Sequence, residues 1–473
     1  MRGSARNVTE SDSAALQPKE PDMEDLARRV DELADGLGAD LVGLAAIPSI
    51  AFPGYPDEPV LRAHDRVVEL LRSAGVGSIG GLDLPDTQPV ITGSIPAPEG
   101  APTVLLYAHY DVQPPGDESL WDSPPFEPTR VDGAIRARGI ADDKANILVH
   151  VGALRAFGGR PPVGVKVVIE GQEEYGSAFD DYPASDPDLF GSDAMVIADM
   201  GNVRPGVPTF TVALRGDTEV IVEARTLAEP RHSGEYGGAA PDALIVLLHA
   251  LATLHDAEGD VAVPGLLREE WDGATLEEDE FRRMAEVREG VPLFGTGSLG
   301  RRLWTGPAIT VMGLDAPSVD GAAAAVVPYA RAKLNVRVHP RQKAAEAQRA
   351  VVEHLDRVRP FGVRLQVAPG DAGDGFAART GGPAYRAAAE AMREAWGAEP
   401  VHMASGGAIP LVSGLAEAVP DAEILLFGAQ DSMSNLHAPN ERVLLDELKR
   451  AVHAEAAFFR AFARDRAARQ GRR

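Results

Sequence analysis

The sequence predicts an α/β protein: a mostly parallel sheet flanked by helices, interrupted by an inserted α+β unit of ferredoxin-like order. Three observations carry this expectation. Apolar runs at 103–108, 163–169 and 194–198 lack the strict alternation of a half-exposed strand and match strands buried on both faces. Segments of helical periodicity surround them. The middle of the chain then turns to strand, helix, strand, strand, helix, strand, the ferredoxin-like succession. A length of 473 residues leaves room for two or three packed units.

Taken in order, residues 1–21 mix Arg, Ser, Glu and Asp without an apolar segment and read as a flexible tail rather than a signal peptide. Helical periodicity follows at 22–44 and 58–73. The strand at 103–108 ends in His109, and Arg138-Gly139-Ile140-Ala141-Asp142-Asp143-Lys144 leads into a helix at 145–157. The strand at 163–169 runs into Glu170-Gly171-Gln172-Glu173-Glu174, and that at 194–198 ends in Asp199. A Pro- and Gly-rich stretch at 204–208 marks a boundary. Beyond it come a strand at 209–224, a helix at 241–255, strands at 308–314 and 329–338, a helix at 342–358 and a strand at 362–367. An insertion rich in Glu and Arg fills 256–305. The helix at 384–396 returns the chain to the first unit, a strand at 423–427 precedes the loop with His437, and a last helix begins near Arg442. The expected division is one domain built from 22–207 and 381–473, with 208–380 inserted in it.

Composition narrows the function. Hydrophobic residues make up 44% and charged residues 25%, ordinary values for a globular protein, so a disordered or fibrous chain is excluded. With 46 basic and 71 acidic residues the net charge is −25, opposite to what non-specific nucleic-acid binding requires. No run approaches 18 uninterrupted apolar residues, so no membrane span is expected and a cytoplasmic location is the default. The absence of cysteine excludes disulfides, thiolate zinc sites and a cysteine nucleophile together. Any metal must be held by His, Asp and Glu.

The three apolar strands each deliver a metal-capable side chain just past their carboxyl ends: His109, the Glu173-Glu174 pair and Asp199. In open α/β sheets that edge is where ligands bind. Singly, each is as readily a turn residue or a helix cap, and Asp142 or Asp143 suits the N-cap of the following helix. Together they aim at one place.

The set His109-Tyr110-Asp111, Arg138 to Lys144, Glu173-Glu174-x-Gly176-Ser177, Asp199, His232-Ser233-Gly234 and His437-Ala438-Pro439-Asn440-Glu441 resembles the M20 family of dinuclear zinc peptidases, most closely its dipeptidase and carnosinase branch. The resemblance runs from about Ala46 to the C-terminal helix. It implies a zinc-peptidase-like catalytic domain with a lid domain used to form a homodimer, and two divalent ions per subunit. Zinc is the first choice, and Mn²⁺ or Co²⁺ suit the same nitrogen and oxygen donors. By the same resemblance His109 and Asp199 hold one ion and Glu174 and His437 the other, with Asp142 bridging them. A hydroxide shared by the metals attacks the amide, Glu173 is the general base, and Asp111 orients the site. His232 is an oxyanion donor reaching across the dimer. Arg337 resembles a carboxylate clamp, and Ser405-Gly406-Gly407 belong to a substrate loop, although Ala404, Ser405 and Ala408 stand where carnosinase-like relatives have Arg, Glu and Ser. The Asp142–Asp143 peptide bond is expected to be cis. The implied substrate is a dipeptide; an N-acyl or N-carbamoyl amino acid is the alternative, and a non-catalytic metal-binding relative a further one.

Overall fold

The computed structural model describes residues 23–407 and 409–470, so the expectations for 1–21 and Ala408 lie outside the described residues. A six-stranded sheet runs in the order Gly77–Leu82, Val90–Ile95, Gly164–Glu170, Thr103–His109, Ala194–Ile197, Glu423–Leu426. The last four strands are mutually parallel, and the first two join antiparallel at one edge. In the Thr103–His109 strand, Val104, Leu106 and Ala108 enter the core formed with Met23–Ala45, Ala145–Ala156 and Leu445–Gln470, whereas Leu105 and Tyr107 enter a second core with Phe179, Phe190 and Leu411. Burial on both faces is why the run carries no polar alternation. The Ala145–Ala156 helix is likewise buried at every residue but Arg155, which explains its lack of a polar stripe.

The second sheet has four antiparallel strands in the order Ala308–Asp315, Tyr329–Val338, Gly216–Arg225, Gln366–Gly373. This is the ferredoxin-like arrangement, with helices Ala243–Leu251 and Ala344–Arg357 against one face. Val220, Val222, Leu334 and Val336 point into that core. Their neighbours Asp217, Glu219, Lys333 and Arg337 lie on the open face, so these strands alternate.

Three expectations need correction. The strand expected at 209–224 breaks at Arg215. Thr209–Leu214 pairs with Val401–Ser405 and Phe376–Ala377, while Gly216–Arg225 belongs to the four-stranded sheet. Both halves are strand, so periodicity gives no sign of the change of sheet. Gly216 permits it, since a Cβ there would lie 2.9 Å from Gly375 N and 3.0 Å from Gly373 O. The strand expected at 362–367 is Gln366–Gly373, an exposed edge containing Pro369 and Gly370 and therefore without an apolar signature. The last helix starts at Leu445, because Arg442–Leu444 first pairs as a strand with Ala134–Arg136.

The two crossings between the sheets run side by side. Leu214 pairs with Phe376 before the crossing, and Asp217 pairs with Gly373 after it. Within the 256–305 insertion the chain forms one short helix, Glu278–Met284, and a turn at Arg301–Thr305. Among the described residues no helix is long and apolar enough to cross a membrane.

Candidate active site

Parallel pairing aligns His109 with Glu170 and Tyr107 with Ile197, so the strands bearing His109, Glu173-Glu174 and Asp199 end at one edge. His109 is fully buried. Its backbone N–H donates to Asp143 Oδ2 at 3.0 Å, its Nδ1 faces the carbonyl of Asp111 at 3.2 Å and the Asp111 carboxylate at 3.3 Å, and its Nε2 faces Asp142 Oδ1 at 3.0 Å. On the other side, His437 Nε2 lies 3.0 Å from Asp142 Oδ2 and 3.1 Å from Glu174 Oε2. Each oxygen of Asp142 thus meets a different imidazole.

Two triplets of ligand atoms result, one from His109, Glu173 and Asp199 and one from Asp142, Glu174 and His437, each mutually within 4.8 Å. Glu173 falls in the first triplet, although the resemblance gives it a base's role rather than a ligand's.

The turn that carries Asp142 is wound around one buried carboxylate. Glu441 accepts from Arg138 Nη1 at 2.6 Å and from the backbone N–H groups of Gly139, Ala141 and Asp142 at 2.9, 2.9 and 3.1 Å. Gly139 has φ +72°, and a Cβ there would sit 2.0 Å from Val112 Cγ1, so only glycine fits. The Asp142–Asp143 bond is cis, as expected. Asp111, also buried, accepts the backbone N–H groups of Glu173 at 3.0 Å and Glu174 at 3.1 Å on its two oxygens. One carboxylate therefore holds both glutamate backbones and the far side of His109.

The electrostatics are those of a site with too many carboxylates for its cations. Burial, reinforced by Asp142 and Asp143, pushes Asp199 well above the carboxylate range. Burial likewise pushes Glu173 up to about 8, and Asp142, Glu174 and Asp111 push the same way against His109. Burial raises Glu174 as well, with Asp142 adding to it. Asp142 goes the opposite way: burial opposes its ionisation, but the hydrogen bonds with His109 and His437 prevail and hold it low. Glu174 Oε1 is buried without a hydrogen-bond partner. A donor set of imidazole nitrogen and carboxylate oxygen, mutual repulsion and an unpartnered oxygen all fit divalent cations.

Sequence reading missed three supports. Gln113 Nε2 donates to Glu174 Oε2 at 2.9 Å, Gln430 Nε2 donates to the Ala141 carbonyl at 3.1 Å, and Asn146 Nδ2 donates to Asp143 Oδ1 at 2.5 Å. Neither glutamine belongs to one of the sequence motifs, and Gln430 opens a strand of only two residues, Gln430–Asp431.

The remaining candidates stand apart from this cluster. His232 is exposed, and its Nδ1 accepts from the Gly234 N–H at 3.1 Å, capping the short helix Ser233–Tyr236. Arg337 lies on the open face of the four-stranded sheet, 3.8 Å from Asp217 Oδ1. Ser405 ends its strand, its Oγ accepting from the Gly407 N–H at 3.2 Å and its carbonyl from the Arg215 N–H at 3.3 Å. Gly406 lies between them in the turn.

A parallel α/β sheet whose carboxyl edge gathers histidines and carboxylates into two adjoining triplets is the framework of a metal-dependent hydrolase. The match to Peptidase family M20/M25/M40 covers residues 105–461, and the chain belongs to that family. It is 37% identical over 366 residues to the cysteinylglycine-S-conjugate dipeptidase of Corynebacterium striatum, covering 76% of this chain and 80% of the relative. With the human Beta-Ala-His dipeptidase it shares 29% identity over 408 residues, 80% of each chain. The crystal structure of human carnosine dipeptidase 1 superposes with a TM-score of 0.76 at 25% identity, covering 93% of this chain and 99% of the other.

Proposed function

We propose that this protein is a dipeptidase that hydrolyses the amide bond of dipeptides using two divalent ions per subunit, zinc in the first place. His109 and Asp199 would hold one ion and Glu174 and His437 the other, with Asp142 shared between the two sets. The observation that carries the reading is the posture of Asp142, whose two oxygens each lie 3.0 Å from an imidazole of a different triplet. The dipeptidase names of the relatives support the substrate class.

When bound, the ions supply Lewis-acid polarisation of the scissile carbonyl and make a water molecule more acidic. Glu173 takes the proton from the attacking water and returns it to the leaving amine. Asp111 fixes the starting point of that transfer through the Glu173 backbone N–H and sets the imidazole of His109. Arg337 receives the substrate's terminal carboxylate, a match for a planar guanidinium, beside the Ser405-Gly406-Gly407 turn. His232 donates to the carbonyl oxygen as charge develops there, in the site of a second subunit.

A homodimer through the four-stranded unit agrees with its surface. Val311, Met312 and Leu314 on the edge strand and Ile245 and Leu248 on the neighbouring helix are all exposed.

The test combines metal analysis with a substrate panel run in Zn²⁺, Mn²⁺ and Co²⁺. The panel holds Cys-Gly and its S-conjugates, β-alanyl dipeptides, amidated dipeptides, and N-acyl and N-carbamoyl amino acids. Two ions per subunit and turnover of dipeptides with a free carboxylate are expected. Glu173→Ala should keep both ions and lose turnover. Loss of one metal equivalent in that variant makes Glu173 a ligand instead, and two ions with no turnover of any compound refute the enzymatic reading.

A further inference from the structure

A cavity of about 200 Å³ lies between the 256–305 insertion and the start of the Ala308–Asp315 strand, in the four-stranded unit rather than at the metal-ligand cluster. At about 30 Å³ per water, it has room for on the order of six waters or a small ion with its hydration. Its lining is unusual for a chain with 71 acidic and 46 basic residues. Three arginines, Arg268, Arg301 and Arg302, border it with one carboxylate, Asp260.

Arg301 is balanced, with Asp260 at 3.8 Å and Glu270 at 3.6 Å. Asp260 is also engaged by the Thr296 hydroxyl and its N–H. Neither of the other two guanidiniums forms a close ion pair among the described residues, although Asp260 lies within electrostatic reach of Arg268. Arg268 makes a single hydrogen bond, from Nη2 to the Val261 carbonyl at 2.6 Å. The Arg302 guanidinium makes one long bond, from Nη1 to the Phe294 carbonyl at 3.3 Å, and its Nε is buried with no partner. Each guanidinium offers five N–H donors in a planar fork, so most of this capacity is left without a protein partner at the rim of the cavity, where Arg268 is exposed and Arg302 half-buried.

We propose that this cavity binds a small oxyanion, of phosphate or short-carboxylate chemistry, on Arg268 and Arg302 with Arg301 beside them. The fork geometry of guanidinium suits two oxygens of one anion, and charge-assisted bonds of this kind are the strong ones. The site joins the insertion to the sheet: its wall includes Ala308, the cross-strand partner of Arg337, and Gly306, whose carbonyl accepts from Arg215 Nη2 at 2.6 Å.

The experiment titrates inorganic phosphate into the metal-loaded enzyme by calorimetry and thermal melting. Succinate forms a parallel arm and chloride controls for ionic strength. Saturable binding with a rise in melting temperature is expected. Arg268→Gln and Arg302→Gln should each weaken it about tenfold or more, and Arg302→Lys should retain part of the affinity. Binding of succinate without phosphate assigns the site to carboxylates and supports the proposal, as the reverse result does for phosphate. Absence of saturable binding in both arms overturns it. So does phosphate affinity that is unchanged in both glutamine variants, with metal content and circular dichroism intact, because the anion then sits elsewhere, at the metals for instance.

Discussion

At the carboxyl edge of the parallel sheet, His109, Asp142 and Asp143 are buried and held from behind by Asp111, Glu441 and Asn146. On the four-stranded unit, His232 is exposed and Arg337 lies open, each with no hydrogen-bond or ion-pair partner beyond its own sheet or turn among the described residues. A sheet covered on both faces can present charge only at its ends, so folding itself assembles that half of the site. A sheet covered on one face displays charge along its open side, and such residues reach substrate only when another surface is brought against them. On the proposed reading, one half of the site is set by folding and the other by apposition.

Four substitutions break or sharpen this contrast. The largest effect is expected from Glu441→Ala, which strands the buried Arg138 and three backbone N–H groups. A stability loss of about 3–5 kcal/mol, with metal content falling alongside activity, should appear in denaturant melts and metal analysis. His232→Ala should cost roughly 10²–10³ in kcat while leaving metal content and melting temperature unchanged. Refolding it together with Glu173→Ala should restore activity in mixed dimers, and dimers that form yet stay inactive place His232 outside its neighbour's site. Arg337→Ala should raise KM roughly 10- to 100-fold for substrates with a free carboxylate and leave amidated ones unaffected, as expected for a lost charge-assisted pair. An equal loss on both removes the clamp. The smallest effect belongs to Lys343→Ala. Lys343 Nζ reaches Asp374 Oδ2 and Glu417 Oε1 at 2.7 Å each, linking the two halves, but the exposed groups are screened. A change below about 1 kcal/mol is expected.

The same contrast governs what could be read from the sequence. The parallel strands were legible because double burial leaves unbroken apolar runs, and His109, Glu173, Glu174 and Asp199 were legible because they end those runs. Asp142 needed the surrounding turn, whose glycine and paired aspartates stand out in the sequence. Gln113 and Gln430 were not legible, since a side chain that supports a ligand across the fold leaves no local pattern. The break at Arg215 was hidden because the strand continues in a different sheet, and the Gln366–Gly373 strand because its exposed edge has no apolar side to signal it. His232 and Arg337 were visible as motif residues, but sequence patterning carries no information about the surface that would meet them.

The side-by-side crossings at Leu214–Gly216 and Gly373–Phe376 have a consequence for modularity. Because the inserted unit leaves and rejoins the parallel-sheet domain at adjacent, already paired strands, its two ends are close enough to be closed by a short turn. Excising 217–373 removes one hydrophobic core whole and cuts no strand of the six-stranded sheet, although it also breaks the small cluster in which Trp271 and Trp304 pack against Ala213 and Ala404. Evolution could therefore exchange this unit, and with it the substrate choice and pairing proposed for it, while keeping the residues of the sheet edge in place.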